Sequence, residues 1–213
     1  MPEKLIIVCF AVKEEARPFQ KLAEGRTNIK ILLTGMGHVN ADKSIRAALA
    51  ADKPSLVLTC GFAGGLNPEL ASGTIVFSTR GYSELETRLR EAGAVPAQFY
   101  CADHVATTVS EKTKLWQTTG DDAVDMESEM IARICFEKKF PCATVRVILD
   151  AADENLPLDF NELMTADHKM NYGKLAWQII KSPGKIRALK ALQKQSQAAA
   201  EKLAQALIKL ISE

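Results

Sequence analysis

The chain has no apolar stretch long enough to cross a lipid bilayer. Its longest apolar run, residues 5–12, contains eight residues, whereas a membrane-spanning helix needs about 20. No basic segment precedes this run and no small-residue cleavage site follows it, so we do not expect a signal peptide. The run instead has the length of a buried strand.

The sequence also lacks the cysteine pattern of a disulfide scaffold or a zinc site. It contains five cysteines, and none of them forms a C-x-x-C pair. This usage is typical of a reducing cytoplasm, where we expect the protein to reside. The three histidines, His38, His104 and His168, have no metal-ligand spacing. We therefore expect neither a metal nor another cofactor.

Charge is balanced overall but unevenly distributed. The chain has 27 basic and 26 acidic residues, yet from residue 169 onwards there are nine basic and two acidic residues. We interpret residues 1–168 as one domain and residues 169–213 as a basic, amphipathic helical extension. The 47% apolar and 25% charged residues exclude a disordered chain or a collagen.

Short apolar runs alternate with segments of helical periodicity, which indicates an α/β fold. Strands are predicted at residues 5–12, 29–34, 56–59, 74–78 and 143–149, and helices at residues 13–23, 40–51, 124–139, 172–181 and 185–211. The pattern predicts a single α/β domain, in which helices flank a central, twisted, mostly parallel or mixed sheet, with a helical C-terminal tail. Ligands of such folds bind beyond the carboxyl ends of the strands.

Acidic residues follow two of the predicted strands. Asp150 directly follows the last strand, where partial burial would raise its pKa, although it suits a turn or a helix cap equally well. Glu14 and Glu15 follow the first strand, where the simpler interpretation is favourable charge in the first turn of a helix. If carboxyls from both segments meet in one cleft, one can protonate a leaving group while the other activates water, as hydrolysis of a glycosidic bond requires.

One glycine-rich segment and one further carboxylate complete the candidate site. Residues 61–65 would let a ligand approach the backbone closely, but they form neither a dinucleotide fingerprint nor a phosphate loop, and a tight turn is the simpler interpretation. Glu127 lies where a helix is predicted to begin, and its carboxylate could accept two hydrogen bonds from a ribose diol. Asp125 could simply cap that helix.

Taken in order, these segments resemble the nucleoside phosphorylase superfamily, on its methylthioadenosine/S-adenosylhomocysteine nucleosidase side. The resemblance covers most of residues 4–165. It rests on five motifs: Ala11-Val12-Lys13-Glu14-Glu15, Gly35-Met36-Gly37, Gly61-Phe62-Ala63-Gly64-Gly65-Leu66, Val124-Asp125-Met126-Glu127 and Arg146-Val147-Ile148-Leu149-Asp150. Each motif is weak alone, but their shared order is specific.

The resemblance implies an activity and a role for each candidate residue. Asp150 resembles the general acid that protonates purine N7, and Glu15 resembles the residue that positions the attacking water. The implied binding residues are Glu127, Met126 and Met36 for the ribose, and Ala63, Gly64, His104 and Val105 for the base and its loop. The implied reaction is hydrolysis of the N-glycosidic bond of a 5′-substituted adenosine, with release of adenine.

Departures from the family pattern leave two other functions open. Thr59 and Phe62 stand where phosphorolytic members carry an arginine and a serine, and Leu149 stands where a serine is common. Phosphate needs cationic donors, so water is favoured as the nucleophile. Phosphorolysis of the same substrates is the alternative reaction. A non-catalytic nucleoside-binding module, in which Phe62 blocks the nucleophile side, is the other alternative.

The C-terminal region adds a hypothesis about the 5′ substituent. Residues 177–184 and the helix after them resemble the C-terminus of hopanoid-associated phosphorylase-like proteins, which implies a lipid-linked adenosine such as adenosylhopane. The apolar stripes of residues 169–213 fit either a helix pair packed on the sheet or peripheral contact with an anionic membrane. We expect a nucleoside as the small-molecule partner, no nucleic acid, and a homo-oligomer, first of all a dimer.

Overall fold

The computed structural model describes residues 4–80, 82–165, 171, 174 and 184–212. The strands are β1 (Ile6–Phe10), β2 (Ile29–Leu33), β3 (Leu56–Gly65), β4 (Ile75–Ser78), β5 (Val95–Pro96), β6 (Phe99–Cys101), β7 (Ala123–Asp125) and β8 (Cys142–Asp150). The helices are α1 (Lys13–Leu22), α2 (His38–Ala51), α3 (Ser83–Glu91), α4 (Val109–Thr119), α5 (Ser128–Glu137), α6 (Phe160–Leu163) and α7 (Lys185–Ser212).

One sheet passes through the described part of the chain. Its strands follow the order β2-β1-β3-β8-β4-β5, with β7 paired to β3 and β6 paired to β7. Among these strands, only β4 with β8 and β3 with β7 pair antiparallel. The predicted central, mostly parallel sheet flanked by helices is therefore confirmed. Because β3 and β8 are neighbours, the glycine-rich segment and the strand that ends in Asp150 lie side by side.

Helices α1, α3 and α7 cover one face of the sheet. Phe19 of α1, Leu89 of α3, and Leu203 and Leu207 of α7 are buried against strand residues such as Val145. The apolar stripe of α7 thus belongs to the same core as the sheet. None of the described helices is both long and apolar enough to cross a membrane. The predicted domain boundary at residue 168 lies outside the described residues, as does nearly all of the predicted helix 172–181.

Helices α2 and α5 cover the opposite face. Ile45 and Ala41 of α2 recur at helical spacing and pack with Ile131 and Ile134 of α5 against Ile7 and Val57. Two loops, one leading into α2 and one leading into α5, therefore lie at the carboxyl edge of the sheet. Candidate binding residues precede both helices in the chain.

Two predicted elements differ from the structure. The segment predicted as helix 124–139 begins instead with strand β7, and the helix α5 starts only at Ser128. Val124 pairs with Gly64 of β3, and these inter-strand hydrogen bonds override the helical pattern. The predicted strand 56–59 continues to Gly65, because its pairing with β8 continues beyond residue 59. The glycine-rich segment is therefore part of a strand rather than a loop.

Helix α7 runs back along β8. Gln195 Nε2 donates a hydrogen bond to the carbonyl oxygen of Leu149 at 2.6 Å, and Leu203 and Leu210 are buried further along the helix. Residues 185–194 precede this contact in the helix and are mostly exposed.

Leu203→Ala should lower the free energy of unfolding by about 2–5 kcal/mol, because the deletion leaves a cavity in a filled core. Leu203 is completely buried in the cluster that joins α7 to the sheet. Urea denaturation measures the loss, with Gln205→Ala, at an exposed position of the same helix, as the control. Equal stability of the two variants would contradict the placement of α7 in the core.

Candidate active site

The glycine-rich segment of β3 separates two buried carboxyl groups. The parallel register sets Gly61 opposite Arg146 and Gly64 opposite Asp150. A Cβ atom at Gly61 would lie 2.7 Å from Glu15 Oε1, and one at Gly64 would lie 3.6 Å from Asp150 Oδ2. The two glycines are three strand residues apart, roughly 10 Å, so the carboxyl groups lie near opposite ends of residues 61–64. The structure brings the two predicted catalytic residues to opposite ends of one segment.

Backbone amides hold the carboxylate of Glu15 in place. Glu15 lies in the first turn of α1 and folds back toward the start of the helix, where Oε2 accepts hydrogen bonds from the N–H groups of Ala11 at 3.1 Å and Val12 at 3.3 Å. Oε1 accepts from the N–H of Phe62 at 2.9 Å. Burial raises the pKa of Glu15, and these N–H donors and the Arg146 charge oppose the rise.

Asp150 ends β8 as a buried carboxyl group beside a buried cation. The ammonium of Lys112, on α4, forms an ion pair with Asp150 Oδ2. Burial raises the pKa of Asp150, Lys112 opposes the rise, and the charge of Glu154 adds to it. A carboxyl group that keeps its proton closer to neutral pH is better suited to act as a general acid.

A single hydrogen bond joins the candidate ribose residues. Glu127 Oε1 accepts from the N–H of Gly37 at 2.7 Å, which ties the segment before α5 to the turn before α2. Met126 is buried and Met36 is half-buried, and each directly precedes one of the bonded residues. Burial raises the pKa of Glu127 to about 8, an effect that Asp125 reinforces and that Arg146 and the Gly37 N–H oppose.

A buried arginine balances the negative charge below the site. Arg146 is 2% exposed and donates from Nε to Asp125 Oδ2 at 2.9 Å. Its Nη2 lies 2.7 Å from the same oxygen and donates to Thr59 Oγ1 at 3.0 Å. Asp125 also accepts from Ser128 Oγ at 2.7 Å. Sequence analysis gave Arg146 no role of its own, although an arginine inside an apolar strand was the available signal.

The predicted base-contacting residues fall in two places. Ala63 is buried in β3, and Gly64 lies next to Asp150. His104 lies on the loop before α4, where its ring nitrogens contact Asp103 Oδ1 at 2.5 Å and Glu111 Oε1 at 2.7 Å. These hydrogen bonds raise the pKa of His104. These contacts do not join His104 to Glu15 or Asp150.

Asn161 fixes the position of Val105 on the same loop. The N–H of Val105 donates to Asn161 Oδ1 at 2.8 Å, and its carbonyl oxygen accepts from Asn161 Nδ2 at 2.9 Å. This pair joins α6 to the loop that leads into α4. Sequence analysis assigned no function to Asn161 or to Lys112, because neither lies in a motif and both act through residues distant in the chain.

Fold and site together define a member of a known enzyme superfamily. The family model of the phosphorylase superfamily matches residues 9–109 and 89–181, and the chain belongs to this superfamily. Among its relatives is the 5′-methylthioadenosine/S-adenosylhomocysteine nucleosidase of Haemophilus ducreyi, 29% identical over 180 residues, which covers 68% of this chain and 78% of the relative. The enzyme of the same name from Glaesserella parasuis is 28% identical over 185 residues, with the same coverage of both chains. The resemblance to the nucleosidase side of the superfamily is confirmed.

Solved structures share the fold along nearly the whole chain. The 5′-methylthioadenosine/S-adenosylhomocysteine nucleosidase of Helicobacter pylori, in complex with butyl-thio-DADMe-Immucillin-A, superposes with a TM-score of 0.75 at 15% identity, covering 100% of this chain and 99% of the other. Futalosine hydrolase of the same organism gives a TM-score of 0.73 at 15% identity, covering 99% and 98%. At this identity the likeness shows the fold.

Glu127→Gln should stabilise the free protein increasingly as the pH rises. The pKa of Glu127 is about 8 in the folded chain against an ordinary value of 4.5, so ionisation of this group opposes folding as the pH rises through that interval. Glutamine keeps an acceptor for the Gly37 N–H but does not ionise. Thermal denaturation from pH 5 to pH 9 should show a melting temperature difference that grows in favour of the variant.

Glu129→Gln is the matched control for this measurement. Glu129 is two residues further along the same segment, but its side chain is exposed. Its melting temperature difference from the wild type should change little with pH. A difference for Glu127→Gln that stays constant over the same pH range would contradict the raised pKa.

Proposed function

We propose that this protein hydrolyses the N-glycosidic bond of a 5′-substituted adenosine and releases adenine. The main support is the arrangement of Asp150 and Glu15, two buried carboxyl groups at opposite ends of residues 61–64. Hydrolysis of a glycosidic bond uses two such groups, of which one protonates the leaving group and the other activates water. The naming of the relatives as nucleosidases supports the same reaction.

Asp150 is the proposed general acid. Adenine leaves as an anion unless N7 is protonated, so the acid must still hold a proton when the bond breaks. The raised pKa of Asp150 favours this state. Proton donation of this kind contributes on the order of 10²–10⁴-fold in rate.

Glu15 is the proposed water-positioning residue. Three backbone N–H donors fix both of its oxygens, and each oxygen of a carboxylate can accept more than one hydrogen bond. The remaining acceptor capacity suits a water molecule held in one orientation. A carboxylate here also stabilises the positive charge that develops on the sugar.

Glu127 is the proposed ligand of the ribose hydroxyls, with Met36 and Met126 in apolar contact with the sugar. A diol that donates two hydrogen bonds stabilises the ionised form of Glu127. Ribose binding should therefore lower the pKa of this group below its value in the free protein. Ala63, Gly64, His104 and Val105 are the proposed contacts of the base and its loop.

Water is favoured over phosphate as the nucleophile. The charge of Arg146 acts on Glu15, but its donors already serve Asp125, Thr59 and the Val145 carbonyl oxygen. Phe62 contributes its backbone N–H to Glu15, while its half-buried side chain packs against the core below α1 and α7. This orientation favours an enzyme over a non-catalytic binding module in which Phe62 blocks the nucleophile side.

Asp150→Asn and Glu15→Gln should each lower the rate of adenine release by at least about 10²-fold, because one loses the transferable proton and the other the anionic acceptor. The assay uses methylthioadenosine, adenosylhomocysteine and a 5′-alkyl adenosine with a long chain. Asp153→Asn and Glu14→Gln, at exposed neighbouring positions, are the matched controls and should keep wild-type rates.

The products and the phosphate dependence separate the alternatives. We expect that the sugar product carries no phosphate and that the rate does not depend on the phosphate concentration. A rate that requires phosphate and yields a sugar phosphate would establish phosphorolysis instead. Tight adenine binding without turnover of any of the three nucleosides would establish the binding module.

We also propose two partners besides the nucleoside. We propose contact of the C-terminal region with an anionic membrane, which suits a lipid-linked nucleoside, and assembly as a homo-oligomer. Residues 185–194 support the membrane contact: they carry four basic and no acidic residues, they are mostly exposed, and they directly precede Gln195, which donates to Leu149 beside the proposed acid. The burial of Leu203 and Leu207 limits such contact to this first part of α7.

Replacing Lys185, Arg187 and Lys190 with glutamate should weaken binding to anionic vesicles about tenfold or more, since each cation near such a surface contributes about 1 kcal/mol. Co-sedimentation measures the binding. The control makes the same charge change at exposed lysines elsewhere: Lys21, Lys43 and Lys53. Equal binding of the two triple variants, or no binding of the wild type, would exclude the proposed contact.

A further inference from the structure

Lys112 is a buried charged residue to which the proposed mechanism gives no role. Its side chain is fully buried on α4, facing the end of β8. An ammonium group in such a place is unfavourable unless all of its hydrogen bonds are made. Here it donates to the carbonyl oxygens of Ala151 and Glu154, each at 2.8 Å, and forms an ion pair with Asp150. The ammonium group therefore has two carbonyl acceptors and one carboxylate counter-ion.

The position of the ammonium does not depend on Asp150 alone. The carbonyl groups of Ala151 and Glu154 belong to one turn, which the hydrogen bond from the N–H of Glu154 to the carbonyl of Ala151 closes at 3.1 Å. Lys112 thus binds a preformed turn directly after the acid. Gly64 lies beside the pair: a Cβ atom there would be in ordinary van der Waals contact with Asp150 Oδ2 at 3.6 Å and with Lys112 Cε at 3.9 Å.

The ion pair acts on one oxygen of the carboxyl group. Lys112 contacts Oδ2, so the rotation of the Asp150 side chain is restricted. Among the described residues, Glu154 is the other charge that acts on Asp150, and its side chain accepts from Ser72 Oγ at 2.9 Å and from the N–H of Ala151 at 3.1 Å. Asp150 therefore lies between one cation from α4 and one anion from the following turn.

We propose that Lys112 is a positioning residue for Asp150, which orients the acid toward the base and sets the pH range in which it is active. The proposal rests on the proposed function. In the step, the proton moves from Asp150 to N7 while the electron pair of the C–N bond moves onto the base, and Lys112 keeps its own protons. Its charge stabilises the carboxylate that the step leaves behind.

Lys112→Met tests the proposal, because it removes the charge at nearly constant side-chain volume. We expect a 10- to 100-fold lower kcat, on the scale of one positioned charged group. The alkaline limb of the pH–rate profile should also move to higher pH, since loss of the cation raises the pKa of Asp150 further. KM should change far less than kcat.

Two further variants separate positioning from folding. Lys112→Arg keeps the charge and should retain the wild-type alkaline limb even where its altered geometry lowers kcat. Lys114→Met, at an exposed position of the same helix, should match the wild type in rate and in pH profile. If Lys112→Met lowers only the melting temperature and leaves the pH profile unchanged, the role of Lys112 is structural and the proposal is wrong.

A measurement without turnover distinguishes this proposal from the proposed function. Thermal stability as a function of pH is measured for the wild type, Lys112→Met, Asp150→Asn and the double variant. We expect the two substitutions to be coupled, with a coupling that decreases as Asp150 becomes protonated at low pH. If the wild type releases no adenine, the proposed function fails, and this cycle still decides whether Lys112 controls the ionisation of Asp150. Additive effects at every pH would overturn the proposal.

Discussion

The parallel pairing of β3 with β8 is the constraint on which the candidate site depends. Its register places two glycines of β3 opposite Arg146 and Asp150, so these two positions add no side chain to the space between the two carboxyl groups. A shift of one residue would turn Asp150 and Arg146 to the other face of the sheet. The layers of helices on both faces fix this register, because each buries an apolar set of strand residues that such a shift would expose.

The site concentrates buried charge, and backbone groups as well as ion pairs keep that charge in place. Glu15 and Glu127 accept hydrogen bonds from main-chain N–H groups, whereas Asp125 and Asp150 each pair with a buried cation. Arg146 and Lys112 approach the site from opposite ends of the glycine-rich segment. Each carboxyl group thus has a separate environment, which is how one fold holds acids of different strength within a short distance.

The sequence predicted the fold class. It also predicted the site residues that directly follow a strand or lie at the start of a helix. Asp150, Glu15 and Glu127 were predicted because local pattern and family resemblance indicate the carboxyl edge of the sheet. The pattern predicted a helix from residue 124, since the pairing that makes β7 a strand involves Gly64, far away in the chain. Lys112 and Asn161 were missed for the same reason: their partners are 38 or more residues away, and local sequence contains no sign of them.

The space that Gly61 leaves open has a consequence for sequence change in this fold. A methyl group there would overlap the carboxylate of Glu15, and the local φ of +150° disfavours any residue with a side chain. An alanine at this position would push Glu15 away from the Phe62 amide that holds it. A related sequence can therefore replace Gly61 only if the Glu15 carboxylate is also held in a different way. We expect positions 15 and 61 to change together.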